Sequence, residues 1–162
     1  MPNADQKDLD GDGQGNVCDD DDAPLVPTAT RLKIGAGKGA VSVRGYWQLA
    51  PSGDAFDLAN GVAIEVRDGG VTSQTHVWTP GECAIATSGR MKCRSFDRHA
   101  TVTIKPSKVT AGLYGFAVQW SRVTIAGPLA APTTVRLTHG AGIDRVGTVS
   151  FCRGSATTLR CK

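Results

Sequence analysis

The chain has 162 residues, rich in glycine and poor in aromatic side chains, with a formal net charge of +3. Its length allows one or two small domains, and its apolar runs are too short to cross a bilayer, so no membrane span is expected. The small net charge conceals a division: residues 1–22 hold eight Asp and one Lys, whereas the remainder holds seven acidic residues and seventeen Lys or Arg. An acidic segment therefore precedes a basic body. That body can attract the segment or an anionic partner, or its cations can serve solubility alone.

The acidic segment has the spacing of a metal loop. Asp8, Asp10, Asp12, Gln14, Asn16 and Asp19 fill positions one, three, five, seven, nine and twelve of a twelve-residue loop, the pattern with which a chain wraps one Ca²⁺. Ca²⁺ is a hard cation that takes oxygen ligands. The three leading Asp offer carboxylates and Gln14 its backbone carbonyl. Asn16 binds directly or through a water, and Asp19 stands where a bidentate acid closes the site. Gly13 occupies the sharp turn, where a residue without Cβ fits. Carboxylates crowded around one point repel each other without the metal, so binding and ordering are expected to be coupled. No amphipathic helix flanks the loop, unlike a helical Ca²⁺-binding hand.

The fuller string from Pro2 to Asp19, Pro-Asn-Ala-Asp-Gln-Lys-Asp-Leu-Asp-Gly-Asp-Gly-Gln-Gly-Asn-Val-Cys-Asp, resembles a thrombospondin type 3 repeat over residues 2–22. The resemblance implies Ca²⁺ binding without regular secondary structure. Asn16 stands where the family usually has Asp, and Met1-Pro2 where it has Cys-Pro. The family pairs the counterpart of Cys18 within its repeat array. With the upstream cysteine missing, Cys18 is expected to be unpaired and the chain to be the end of a longer extracellular or cell-surface protein.

Residues 23–30, with Pro24 and Pro27, read as a linker that disfavours helix. Beyond it, apolar and polar residues alternate with the period of half-buried strands. Val41, Val43, Trp47 and Leu49 form one such stripe; Val62, Ile64 and Val66 a second; Val102 and Ile104 a third; and Tyr114, Phe116, Val118 and Trp120 a fourth. After Trp120 the parity shifts to Val123 and Ile125, which predicts a bulge near Ser121-Arg122. No segment has a helical period.

The body repeats itself. Leu32-Lys33-Ile34, Ala63–Gly69, Cys83 and Cys93 recur as Val102-Thr103-Ile104, Thr134–Gly140, Cys152 and Cys161, at offsets of 70, 71, 69 and 68. The fold class is therefore all-β: an internally duplicated β-sandwich of two units, residues 31–98 and 99–162, preceded by an irregular Ca²⁺-binding segment. Duplication favours local disulfides, Cys83–Cys93 and Cys152–Cys161, each stapling a hairpin; the spacings are too wide for zinc knuckles. Disulfides point to an oxidising compartment. The second half also resembles the β-domains that follow type 3 repeats in bacterial secreted proteins. That implies a bacterial surface or secreted origin and carries no known chemistry.

No catalytic constellation is visible, so a non-enzymatic module is expected. His139, Asp144 and the downstream Ser150 and Ser155 lack a nucleophile-elbow string, and His139 is expected in a solvated turn. The few body carboxylates do not form an evident pair for glycoside hydrolysis. Gly35-Ala36-Gly37-Lys38-Gly39 lacks the spacing of a phosphate loop. Trp47 and Trp120 fall on buried faces, whereas Trp78, before Thr79-Pro80-Gly81, is the aromatic expected at the surface if the module stacks a sugar. The expectation is thus a Ca²⁺-binding structural or adhesion module whose partner is a glycan or another surface protein; the alternative is a carbohydrate- or polyanion-binding sandwich. Nucleic acid is not expected.

Overall fold

Where the sequence alternates, the computed structural model places strands with the apolar set turned inward. It describes residues 25–48, 56–70, 73–140, 143–155 and 157–162. The first half contributes β1 (Val26–Lys33), β2 (Gly35–Gln48), β3 (Val62–Arg67), β4 (Ser73–Trp78), β5 (Cys83–Ile85) and β6 (Met91–Arg94). The second contributes β7 (Ala100–Pro106), β8 (Leu113–Ile125), β9 (Thr133–His139), β10 (Ile143–Val149), β11 (Cys152–Ser155) and β12 (Thr158–Cys161). One short 3-10 turn, Pro80–Glu82, precedes β5. Among the described residues no helix is long and apolar enough to cross a membrane.

The strands form two antiparallel sheets. The larger has eight strands in the order β11-β12-β1-β2-β8-β7-β6-β5, and the smaller has four in the order β10-β9-β3-β4. Exchanging the two halves, so that β1 becomes β7 and β2 becomes β8, turns each order into its own reverse. That is the signature of a pseudo-twofold axis, passing between β2 and β8 in one sheet and between β3 and β9 in the other. Glu65 and Arg136, equivalent in the two copies, face each other across β3 and β9. The copies are therefore not two domains. Each sheet is completed only by strands from both, which gives each half-sized unit the core it lacks alone.

The described apolar stripes are buried. Val41, Val43 and Trp47 of β2, Val62, Ile64 and Val66 of β3, Val102 and Ile104 of β7, and Val118 and Trp120 of β8 join one core. Trp47 packs against Phe56 at 5.4 Å and against Tyr114 and Phe116 at 5.6 Å between ring centroids. A second aromatic group joins His76, Trp78 and Trp120. The bulge also falls where the parity shift places it. Ala40 faces Ser121 but Gly39 faces Val123, which leaves Arg122 outside the ladder at φ 58°.

The repeat is out of step by two residues in one strand. Leu32 faces Leu159 and Ile104 faces Met91, so Leu32 is equivalent to Ile104 rather than Val102. A two-residue slip preserves the buried face, so the alternation alone cannot detect it. The expected linker at 23–30 is shorter on its described side, because Leu25 is buried and β1 begins at Val26. Pro27 is tolerated inside a strand because β12 pairs only with Thr30–Lys33, leaving β1 an edge at that point. The register with β2 also shifts between Pro27 and Ala29.

Disulfides join Cys83 to Cys93 and Cys152 to Cys161. Each lies directly across a hairpin, β5–β6 or β11–β12, and β5 and β11 are the two outermost strands of the larger sheet. The covalent staples thus sit at the margins, where a strand has a neighbour on only one side.

Candidate functional site

Asp8, Asp10, Asp12, Gln14, Asn16 and Asp19, together with Cys18, lie outside the described residues. Among the described residues, no group of three or more His, Cys, Asp or Glu could hold a metal ion.

Two expectations about single side chains are overturned. Trp78 is fully buried, and its indole N–H donates to the Ala100 carbonyl at 3.3 Å. It faces the core because it ends β4 opposite Val62, so it offers no platform to a sugar. His139 is buried rather than solvated. It is the last residue of β9, and its ring packs 4.5 Å from Phe56. Its Nε2 accepts the Asp57 backbone N–H at 3.1 Å, while Nδ1 lies 3.0 Å from the Gly61 carbonyl. A carbonyl only accepts, so Nδ1 carries the proton and donates it. Asp144 pairs instead with Arg136. The ring therefore ties down the loop before β3.

The distinctive surface is the outer face of the larger sheet. Its strands contain no Asp or Glu, yet carry Arg or Lys on β1, β2, β6, β7, β8, β11 and β12. The ladder brings several of these into one transverse row. Arg153 faces Arg160, Arg160 faces Arg31, and Arg31 faces Ser42. Ser42 then faces Gln119, Gln119 faces Thr101, and Thr101 faces Arg94. Residues opposed in a ladder share a face, and the four arginines of this row are exposed.

The duplication places further cations beside it. Lys92-Cys93-Arg94 and Arg160-Cys161-Lys162 are equivalent tripeptides, each with its cysteine buried and both cations exposed. Shallow hollows follow the row. One of about 500 Å³ includes Arg31, Ser42, Arg94, Arg98, His99, Thr101 and Gln119 in its wall. A second, with Arg31, Ser42, Arg44, Arg160 and Lys162, continues from it. At the margin the Arg153 guanidinium lies 5.8 Å from the centre of the exposed Phe151 ring.

Several charges elsewhere are paired or hydrogen-bonded nearby. On the smaller sheet, Arg67 bonds Glu65 at 2.7 Å and Arg136 bonds Asp144. Burial alone would raise the Glu65 carboxyl, but hydrogen bonds from Arg67 and Ser73 and the nearby charges hold it below its usual range. Near the end of the cationic row, Asp97 accepts from the Ser95 hydroxyl and the His99 N–H. The Ser95 bond is the main reason its carboxyl is lowered. Glu82 accepts from the N–H groups of Thr79 and Phe96, the first of which chiefly lowers its carboxyl. Among the described residues, no ion pair involves a cation of the larger sheet's strands.

The sequence already shows the cations at outward positions between buried neighbours. Their alignment depends on the register of seven strands, which no local pattern contains. A scan against family models matches none, and searches of the curated proteins and of the solved structures return no match.

Proposed function

We propose that the protein is a non-enzymatic adhesion module of a secreted or cell-surface protein, holding an anionic partner on the outer face of its larger sheet. The observation that carries this reading is the face whose described strands hold no Asp or Glu and on which Arg153, Arg160, Arg31 and Arg94 share one row. Unpaired like charges repel and cost stability, and an anionic partner relieves that cost. The two disulfides support an oxidising location. Binding to immobilised polyanions at low ionic strength tests it. The expected result is retention that weakens steeply as salt shortens the screening length. No retention at low salt overturns the reading.

The N-terminal segment is proposed to bind one Ca²⁺ through Asp8, Asp10, Asp12, Gln14, Asn16 and Asp19, supported by the loop spacing and the resemblance to a thrombospondin type 3 repeat. Neutralising the Asp cluster would stiffen the segment and present the sandwich to its partner. Titration calorimetry is expected to show saturable binding at roughly 10⁻⁴–10⁻³ M. An absence of saturation at several times that concentration overturns it.

A further inference from the structure

Resting on the reading of the larger sheet as an anion-binding face, we propose that its partner is a linear acidic polysaccharide laid across the strands and gripped at both ends. Arg160 with Lys162 and Lys92 with Arg94 form two exposed cationic groups in equivalent places of the two copies. Arg160 and Arg94 lie in one transverse row, on β12 and β6. Five strand spacings of about 4.8 Å place their backbones roughly 24 Å apart. A small anion can neutralise one group at a time. A chain that reaches both converts its second contact into an intramolecular one.

The middle of the row selects the kind of chain. Between Arg31, which adjoins the Arg160 group, and Arg94 stand Ser42, Gln119 and Thr101, which are neutral donors and acceptors. An acidic polysaccharide carries hydroxyls beside its carboxylate or sulfate groups along its whole length, so its hydroxyls can bond this centre while its acid groups meet the ends. A single-stranded nucleic acid brings bases that stack on aromatic platforms; the centre of the row offers none, and the exposed Phe151 lies only at its margin, beside Arg153. The hollow beside Arg94 and Arg98 gives the chain a seat rather than a flat surface.

The test uses the intact chain in fluorescence polarisation. Its probes are labelled oligosaccharides of increasing length, one series carboxylated (oligogalacturonate) and one sulfated (glycosaminoglycan), with poly-glutamate and single-stranded DNA of matched charge. Affinity is expected to rise about a hundredfold once an oligosaccharide spans both groups. The double variant Lys92→Gln with Arg94→Gln is expected to remove that rise while short fragments still bind. Arg67→Gln, on the smaller sheet, is expected to leave the length dependence intact, and near-UV circular dichroism checks that each variant is folded. The better-bound series identifies the acid group. Equal binding of DNA or poly-glutamate, or oligosaccharide affinity independent of length, overturns the polysaccharide inference and leaves the cationic-face reading standing. Failure of every polyanion at low salt overturns both.

Discussion

His139 and Asp68 hold equivalent positions at the ends of the paired strands β9 and β3, and each accepts a backbone N–H from the other copy. Asp57, before β3, donates to His139 Nε2 at 3.1 Å. Ala130, before β9, donates to Asp68 Oδ2 at 2.8 Å. The two clamps share their geometry but not their chemistry, one acceptor being a carboxylate and the other an imidazole. Both acceptors are buried and both bonds are half-buried, so removing either acceptor leaves a half-buried N–H without its partner and loses the acceptor's packing. His139→Ala and Asp68→Ala are each expected to lower unfolding stability by about 1–3 kcal/mol in urea titrations. His99→Ala, at a partly exposed ring, is expected to change it by no more than about 0.5 kcal/mol.

The two disulfides should contribute alike. Changing Cys83 and Cys93 together to Ala, or Cys152 and Cys161 together to Ala, removes a staple from opposite margins of the larger sheet. Each pair is expected to cost about 2–3 kcal/mol by the chain-entropy estimate. The losses should be nearly additive, because the sites share no partners. Denaturant midpoints of the two double variants and the quadruple variant check this.

Gly147 in β10 has no room for a side chain. A Cβ there would strike the Leu25 carbonyl and the Pro27 ring of the entering strand. The backbone contact cannot swing aside as a flexible side chain could. Gly147→Ala is expected to destabilise by about 1–3 kcal/mol. Gly81→Ala, which meets nothing within 4 Å, is expected to be neutral or slightly stabilising. Thermal melts of the two variants separate these outcomes.

His76 should make stability sensitive to mild acid. Burial lowers its pKa below the ordinary 6.5, against the opposing charges of Glu82 and Asp97. The unfolded chain therefore takes up the proton first. The stability contributed by neutral His76 is complete above pH 6.5 and is lost as pH falls from 6.5 through the lowered folded value. The lowered carboxyls of Glu65, Glu82 and Asp97 act in the same direction, but below their ordinary values of 4.5, 4.5 and 3.8. Replacing His76 by Phe is expected to flatten the pH profile in the upper window and leave the lower decline. A profile unchanged near pH 6 would contradict this assignment.

In the N-terminal acidic segment, Asp10→Ala combined with Asp12→Ala removes two carboxylates from the proposed ligand set. Saturable heat on Ca²⁺ titration is expected to disappear, while the denaturant midpoint of the sandwich stays unchanged. Retained binding by the double variant would remove these residues from the ligand set.

What could be read from the chain was local or self-similar. Alternation marks Val62, Ile64 and Val66 as a buried stripe because period two is written in adjacent residues. The displaced parity after Trp120 announces Arg122 as a bulge, and the repeated cysteines identify their own hairpin partners. Trp78 and His139 were misjudged for a common reason. Both end strands beside turn-like sequence, and their burial comes from strands and loops distant in the chain. The cationic row is illegible in the sequence on the same grounds, because Arg31 and Arg94 come to line one hollow only through the pairing of β2 with β8.

That pairing has a consequence for direction. A half-turn about the axis between β2 and β8 brings Lys92 and Arg94 onto Arg160 and Lys162, but it brings Ala84 and Thr103 onto Arg153 and Arg31, so one end of the row carries two more arginines than the other. A polymer threaded one way would meet three arginines before the neutral centre, and threaded the other way only one. Such a surface grips an anionic chain at both ends yet distinguishes its two directions, because duplication has repeated the paired cations and not the arginines beside them.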